Sequence, residues 1–434
     1  MHGFVDVPEN PAEPKGPSVH IFYYGQRLDE RTPIVFFNGG PTSDSHGSYR
    51  ILTDQRYSVA AWATAPLIFI DQRGNGCSSK YPQGDSDEVL TRLKFYDSSA
   101  IVGDAEVVRK QILGDKPWKV FGQSYGAWIV HRYAALAPNS IVSAFAHSEV
   151  LTNDSISRLT DRIFAQNRVL KEYFKQYPDD QRRLEILHEQ LTANVCYPNP
   201  AANPRRCGLA NIDSLLSRFA FIPRWPWVHD WLKAIVVFNP TNGASEAPRA
   251  GQIDTKVIND FLKKVVFSKT ADPQNDKYWA TQIINHYDRD VTNFDRPTCE
   301  KIYFALSLRR EAPETYLLHE CMVAMQYTAD KKRLQDRDER LARFDAKNGN
   351  NHLTFGDVGA GLGKLGKNAF FLYSGQLDIY VPVESFQTEL QQLGRLLTYR
   401  AFTASGHDGF YSETQVAREV LGAPVLSAKK ILKP

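Results

Sequence analysis

Short apolar runs rich in branched and aromatic residues recur along the first third of the chain. Runs of this length and composition, bounded by turn-forming residues, are typical of β-strands. The predicted strands are 18–24, 34–38, 67–71, 118–122 and 142–147. Between the third and fourth strands Ile101, Ala105, Val108 and Ile112 recur at helical spacing, and a second helical pattern covers 126–137. This alternation of strands and helices predicts an α/β fold with a mostly parallel central sheet.

The pattern changes after residue 150. Helical periods dominate, as in the spacing of Ile156, Leu159 and Ile163, and Pro-rich connectors separate them. The strand pattern resumes at 369–375 and 398–403, so the C-terminal segment is expected to complete the sheet.

Three segments follow from these patterns. Residues 1–150 form the N-terminal part of the α/β core, 151–354 form a large helical insertion, and 355–434 form the C-terminal part of the core. A chain of 434 residues is long enough to bury a large core and to form two lobes.

The charge is nearly balanced, with 52 Lys and Arg against 49 Asp and Glu. No basic stripe is long enough for nucleic acid, so nucleic acid is not an expected partner. No stretch reaches the roughly 18 uninterrupted apolar residues of a membrane span, and the N-terminus lacks the pattern of a signal peptide. The composition therefore indicates a globular protein.

Five cysteines are present. Cys196 and Cys207 enclose a Pro- and Asn-rich stretch with neither a helical nor a strand period, which a disulfide would staple. Cys299 and Cys321 are a weaker second pair, and Cys77 is left over. The alternative is that all five are reduced thiols.

The cysteines bear on location. A Cys196–Cys207 disulfide would imply an oxidising compartment, the periplasm or the extracellular space, whereas reduced thiols fit the cytoplasm. If the chain is exported, Met1 replaces a removed leader.

The stretch FGQSYGAW places Ser124 between Gly122 and Gly126, directly after an apolar strand and before a helical pattern. At a strand-to-helix elbow a nucleophilic serine has a strained backbone, and small neighbours prevent collisions. An ordinary loop serine is the alternative for this motif by itself.

A serine nucleophile needs a histidine to take its proton and a carboxylate to orient that histidine. Asp378 follows the strand predicted at 369–375, and His407 follows the next strand. The order serine, aspartate, histidine is the one that α/β-hydrolases use. Asp408 is an alternative acid and His46 an alternative base, but chain order and position after a strand favour the first pair.

The oxyanion of the tetrahedral intermediate also needs donors. In this architecture one is the backbone N–H after the nucleophile and another comes from the loop after an early strand. The candidates are Tyr125 and Gly40, the latter in the stretch FFNGGPTS. An ordinary Gly-Pro turn is the alternative for that stretch alone.

Several segments together resemble the prolyl aminopeptidase branch of the α/β-hydrolases, which includes proline iminopeptidases and tripeptidyl aminopeptidases. The resemblance covers the whole catalytic lobe, beginning with the VP-rich opening at 2–24. Its further motifs are NGGP, DQRGNGCS, GQSYG, GQLDIYVP and SGHDGF, in that order. The resemblance implies an α/β-hydrolase fold with the helical insertion acting as a cap over the site.

The sequence departs from the family in its oxyanion loop. Asn38 stands where the family usually has histidine, and PTSDS replaces further glycines after the proline. Both changes bear on substrate preference more than on catalysis. Asp71 and Arg73, in the DQRG turn, are expected to form an ion-paired turn that supports the site.

An exopeptidase must also bind a free α-amine, and burying that cation without a carboxylate is costly. The stretch YLLHECM is similar to a Leu-His-Glu segment of the family's larger aminopeptidases, so the resemblance makes Glu320 the candidate. A solvated or ion-paired helix glutamate is the alternative, and Glu149 and Glu300 are weaker candidates.

The sequence therefore predicts a serine exopeptidase that releases N-terminal residues, proline among the candidates, from short peptides with a free N-terminus. Ser124 would form the acyl-enzyme, with His407 as base and Asp378 orienting it. No metal or organic cofactor is expected, because no cluster has ligand spacing. The alternatives are a carboxylesterase on the same scaffold and an inactive binding protein that keeps the fold.

Overall fold

The computed structural model describes most of the chain. The residues it describes are 1–26, 28, 31–41, 43–54, 58–151, 155–190, 196–197, 206–207, 219, 221–238, 251–254, 256, 276–289, 331–366 and 368–422. The chain forms two compact units. The first comprises Met1–Asp154, Trp279–Thr292 and Asp338–Pro434, and the second comprises Ser155–Tyr278 and Asn293–Arg337.

An eight-stranded sheet forms the centre of the first unit. Its strands are β1 (His2–Pro8), β2 (Ser18–Gly25), β3 (Ile34–Phe37), β4 (Leu67–Ile70), β5 (Trp118–Gln123), β6 (Ile141–His147), β11 (Phe370–Gly375) and β12 (Thr398–Phe402). Their order is β1-β2-β4-β3-β5-β6-β11-β12. The pairs β1/β2 and β2/β4 are antiparallel, and every later pair is parallel. The predicted α/β fold with a mostly parallel sheet is confirmed.

The central strands are buried on both faces, which explains why they are continuously apolar. In β3, Val35 and Phe37 pack into one hydrophobic core, whereas Ile34 and Phe36 pack into a second core on the opposite face. Successive side chains of a strand point to opposite faces, so one apolar run supplies two layers. The sheet thus lies between two layers of helices.

Helices cover both faces of this sheet. They are α1 (His46–Thr53), α2 (Asp87–Arg92), α3 (Ser98–Leu113), α4 (Tyr125–Leu136), α10 (Phe355–Leu365), α11 (Gln387–Leu393) and α12 (Thr414–Leu421). Helix α3 begins at a strong N-cap, since the Asp97 side chain accepts from the Ala100 N–H at 2.9 Å. Val416, Ala417 and Val420 of α12 belong to the core opposite to that of α3 and α4.

The second unit is mainly helical where the structure describes it. Its elements are α5 (Ser155–Gln176), α6 (Asp179–Gln190), β7 (Cys196–Tyr197), β8 (Arg206–Cys207), α7 (Trp225–Ile235), β9 (Val236–Phe238) and β10 (Gly251–Ile253). Two further helices, α8 (Asp276–Arg289) and α9 (Lys331–Asp345), begin in this unit and continue into the first. Buried Asp180 accepts hydrogen bonds from Tyr173, Arg183 and His229.

The division of the chain differs from the predicted segments. The change of unit comes after residue 154 rather than 150, and two parts of the predicted insertion 151–354 belong to the first unit. These parts are Trp279–Thr292 and the stretch from Asp338 onward. Their helical pattern is the same as that of the insertion, so periodicity alone could not assign them.

Strand β1 was not predicted as a strand. The VP-rich opening pairs with β2 along its whole length, from His2 opposite Tyr24 to Pro8 opposite Ser18. Only Val5 and Val7 of β1 are fully buried, so its apolar signal is weak. No helix among the described residues is long and apolar enough to cross a membrane.

Candidate active site

The predicted nucleophile lies at the point where the strand order of the sheet reverses. After β3 the chain continues to β4 on one side, and β5, on the other side of β3, is followed outward by β6. The carboxyl ends of β3 and β5 therefore border a crevice, the usual ligand position in open parallel sheets. Gly39 and Gly40 follow β3, and Ser124 follows β5.

Ser124 occupies a strained turn between β5 and α4. Its φ is 56° and its ψ is −127°, a conformation that residues with side chains rarely adopt. A Cβ on Gly122 would lie 2.0 Å from the Gly126 carbonyl oxygen, and a Cβ on Gly126 would lie 1.9 Å from the Phe37 carbonyl oxygen. The two glycines are required because backbone occupies the space of any side chain.

The two proposed oxyanion donors come from different segments, the start of α4 and the loop after β3. Tyr125 is the first residue of α4, so its N–H has no partner within the helix. Gly40 is exposed in the loop after β3. The adjacent Gly39 approaches the nucleophile closely, because a Cβ at that position would lie 3.2 Å from the Ser124 Cβ.

Two residues of the DQRG turn hold the loop after β3. The Gln72 side chain donates to the Asn38 carbonyl at 3.0 Å. Asp71 accepts from the Ser45 N–H at 2.9 Å and from its hydroxyl at 2.7 Å. Asn38, in the family's histidine position, donates from Nδ2 to the Ser43 carbonyl at 2.8 Å. Its amide braces the loop that carries Gly40.

The expected ion pair within this turn is wrong. Arg73 binds Asp104 in a bidentate pair, with distances of 2.8 and 2.5 Å, and also donates to the carbonyls of Glu9 and Phe95. Asp71 is occupied by Ser45 and by the Cys77 N–H. Asp104 lies on α3, and the helical pattern of that segment contains no signal that Asp104 pairs with a residue as distant as Arg73.

The structure brings Asp378 and His407 together. Nδ1 of His407 lies 2.9 Å from Oδ2 and 3.1 Å from Oδ1 of Asp378, and both side chains are buried. Oδ1 also accepts the N–H groups of Tyr380 at 2.8 Å and Val381 at 3.0 Å. Two backbone donors and the imidazole hold the carboxylate in one orientation, with Nδ1 of His407 facing it.

The two groups shift each other's pKa. Burial raises the pKa of Asp378, but the attraction of His407 and hydrogen bonds from His407, Val381 and Ser148 together hold it below its ordinary value. Burial lowers the pKa of His407, but Asp378 outweighs it and raises the pKa above the ordinary value. The carboxylate is therefore ionised at neutral pH.

The loop of His407 is tied to the nucleophile's strand. The Gln123 side chain donates to the His407 carbonyl at 3.0 Å, and Gln123 directly precedes Ser124. Of the alternatives, His46 is exposed at the start of α1, and Asp408 accepts from the Tyr411 hydroxyl. Asp378, rather than Asp408, contacts the Nδ1 of His407.

The candidates for binding an amine are less well placed. Glu320 and Glu300 lie outside the described residues. Glu149 is buried, but its Oε2 pairs with Arg289 at 2.6 Å, and its Oε1 accepts from the Val150 N–H. A carboxylate that already neutralises a guanidinium is a poor receptor for a second cation.

Several residues of this region escaped the sequence analysis. His147 and Ser148 follow Ala146 at the carboxyl end of β6, and both are buried next to the Asp378 loop. Gly39 and Gln123 flank the predicted site residues. The sequence signal that could have indicated His147 and Ser148 is their position as a polar pair at the end of the apolar strand β6. Among the described residues, no group of three His, Cys, Asp or Glu side chains could hold a metal ion.

Comparison with known proteins agrees with this architecture. Residues 32–197 match the family model described as alpha/beta hydrolase fold. A segment of 217 residues is 27% identical to the proline iminopeptidase aneH of Aspergillus aculeatus, and one of 170 residues is 28% identical to the proline iminopeptidase of Aeromonas sobria. The chain has the α/β-hydrolase fold and resembles the prolyl aminopeptidases. The predicted resemblance and fold class are confirmed.

The matches to these relatives cover limited lengths. They include 44% and 36% of the chain and span 46% and 38% of the respective relatives. An acetylester hydrolase from Corynebacterium glutamicum aligns over 97% of this chain and 93% of its own, with 14% identity and a TM-score of 0.41. A likeness at that level does not bear on activity.

Proposed function

We propose that this hydrolase is a serine exopeptidase that releases residues from the free N-terminus of short peptides. The buried Asp378–His407 pair, tied through Gln123 to the strained Ser124 turn, is the observation that carries the proposal. The likeness to proline iminopeptidases supports peptides as substrates and makes proline a candidate first residue.

The chemistry follows from the orientation of each group. Nδ1 of His407 faces Asp378, so Nε2 removes the proton from the Ser124 hydroxyl as its oxygen attacks the first peptide carbonyl. The N–H groups of Tyr125 and Gly40 would stabilise the oxyanion, and losing one such donor typically costs about 10²–10³ in rate. His407 then protonates the leaving amine, and water hydrolyses the acyl-enzyme.

A carboxylesterase is the second candidate. Identical acyl chemistry cleaves esters, and an esterase needs no carboxylate for an α-amine. The pairing of Glu149 with Arg289 favours this alternative, because it occupies the candidate carboxylate in the described part of the chain. Glu320 stays the predicted receptor of the amine, and the helical second unit stays the predicted cap.

A substrate panel separates the two activities. Aminoacyl arylamides, proline included, and short acyl p-nitrophenyl esters are offered to the native protein and to Ser124→Ala. The proposal expects arylamide turnover that is lost in the variant. Fast ester turnover without arylamide turnover would refute the peptidase. Failure of a fluorophosphonate to label Ser124 would instead favour the inactive binding protein.

A further inference from the structure

A buried polar pair, His147 and Ser148, contacts the proposed catalytic aspartate. His147 is the last residue of β6, and Ser148 follows it with φ of 58°. Nδ1 of His147 lies 2.8 Å from the Ser148 hydroxyl oxygen, and neither residue is exposed to solvent. Nε2 of His147 has no partner among the described residues. The arrangement is costly, since both a left-handed serine and an unpaired buried nitrogen lose free energy.

This pair is held against the loop that carries Asp378. The Ser148 N–H donates to the Tyr373 carbonyl at 2.9 Å, and Tyr373 is opposite His147 in the parallel pairing of β11 with β6. Asp378 follows β11 by three residues, and the Ser148 side chain hydrogen bonds to it. Ser148 thus contacts both His147 and Asp378.

The chemistry of these groups fixes the direction of each hydrogen bond. An ionised carboxylate only accepts, so Ser148 must donate its single hydroxyl hydrogen to Asp378. Its oxygen then accepts from His147, which must carry its proton on Nδ1. Burial lowers the pKa of His147 to about 3, so its ring is neutral and Nε2 carries no proton. The same ring packs edge-on against Phe410.

We propose that Ser148 and His147 are positioning residues that extend the Ser124–His407–Asp378 triad. Ser148 donates a hydrogen bond that holds the carboxylate of Asp378, and His147 holds the Ser148 hydroxyl so that it donates. The inference rests on the proposed function, because His147 and Ser148 can affect catalysis in this way only if Asp378 orients His407.

The test measures the rate of fluorophosphonate labelling of Ser124 against pH, which requires no knowledge of the natural substrate. Ser148→Ala removes one donor from the carboxylate, so Asp378 becomes more basic and binds the His407 cation more tightly. We expect the acid limb of the profile to move to higher pH. We also expect the plateau rate to fall about tenfold, the usual effect of losing one hydrogen bond to a charged group.

His147→Phe keeps the ring contact with Phe410 but removes the donor to Ser148. It should shift the limb in the same direction by a smaller amount, and it serves as the test if Ser148→Ala does not fold. Ser374→Ala is the matched control, because this buried serine of β11 bonds to the Tyr399 hydroxyl at 2.7 Å. Its limb should stay at the native pH.

A double-mutant cycle completes the test. In an Asp378→Asn background, Ser148→Ala should cause no further shift and little further loss of rate. The inference would be overturned if Ser148→Ala lowered the labelling rate equally in both backgrounds. It would also be overturned if the acid limb stayed at the native pH in both Ser148→Ala and His147→Phe. Neither result would contradict the proposed function. Absence of labelling in the native protein would reject the proposed function, and the inference with it.

Discussion

At the scale of single residues, backbone strain and burial are concentrated around one serine. Ser124 has a positive φ, and the two glycines on either side of it leave room for carbonyl groups that pass within 2.0 Å of where a Cβ would lie. Such a turn persists only because β5 and α4 pack firmly on both sides. Ser124 is half-buried at this turn, as expected of a strand-to-helix elbow that presents its serine at the edge of the sheet.

The Asp378–His407 pair determines how the site responds to pH. His407 must be neutral to accept a proton, so activity should rise as the pH rises through its raised pKa. We expect the acid limb of kcat/KM for the native protein to lie above about 6.5, the ordinary histidine value.

Asp378→Asn should reverse that shift. Without the carboxylate, burial is the dominant influence on His407 and lowers its pKa, so the limb should move below about 6.5. The rate should fall by about 10⁴, as when the triad aspartate of a serine protease is replaced by asparagine, because the tautomer of the imidazole is wrong. A variant that keeps the native limb would show that another group orients His407.

At the scale of elements, a buried ion pair joins α4 to α11. His131 of α4 and Glu389 of α11 are both inaccessible to solvent, with Nε2 of His131 2.9 Å from Oε1 of Glu389. Nδ1 of His131 donates to the Ala127 carbonyl, and Oε2 of Glu389 accepts the Leu151 N–H. The pair therefore fixes the helix behind the nucleophile to the chain that leaves β6.

Two variants separate the charge of this pair from its hydrogen bonds. In Glu389→Gln the amide can donate to a neutral His131 and still accept from Leu151, so the free energy of unfolding should fall by only about 1 kcal/mol. His131→Leu leaves a buried carboxylate without a cation and should cost about 3–5 kcal/mol. Urea unfolding measures both, and equal losses would contradict the assignment.

The same pair predicts a dependence on pH. Burial lowers the pKa of His131, but Glu389 and the Ala127 carbonyl outweigh it and raise the pKa. Stability from a raised histidine pKa is fully present below about 6.5 and is lost as the pH rises through the folded value. The advantage of the native protein over Glu389→Gln should therefore shrink in that range.

At the scale of the whole molecule, the chain divides into a core with the α/β-hydrolase fold and a second unit that is mainly helical in its described residues. The core is assembled from three separate stretches of the chain, and Asp378 and His407 come from the last of them. Nothing in the first 154 residues supplies these two groups. A fragment limited to that part would contain the proposed nucleophile without the proposed acid and base, so we expect it to be inactive.

The second unit also contains the cysteines that bear on location. Strands β7 and β8 place Cys196 directly opposite Cys207 in an antiparallel pair. Residues so placed have Cα atoms about 4.5–5.5 Å apart, within the range that a disulfide requires. This backbone spacing is compatible with a bridge, which stays a prediction, as does the oxidising compartment that it would imply.

Alkylation of the protein from its natural host tests the bridge. Peptides containing Cys196 and Cys207 should be modified only after reduction, whereas exposed Cys77, a free thiol, should be modified in both samples and serves as the control. The bridge would add roughly 2–4 kcal/mol to stability. Two free thiols at 196 and 207 would remove the argument for export.

Much of the architecture was determined by local patterns in the sequence. Apolar runs bounded by turn residues predicted the central strands, because a strand buried on both faces must be apolar throughout. Ser124 with its two glycines, and acidic and basic residues placed just after late strands, predicted the candidate site. These signals are local, since each depends on only a few neighbouring residues.

Which distant groups meet depends on the folded arrangement of the whole chain. In the folded chain Arg73 pairs with Asp104 instead of Asp71, Trp279–Thr292 belongs to the core, and Ser148 hydrogen bonds to Asp378. These outcomes depend on the strand order and on the packing of the helices. The local sequence pattern cannot predict them, because many different side chains are compatible with the same pattern. The partner of a buried charge is set by the geometry of the assembled sheet, which no short stretch of sequence contains.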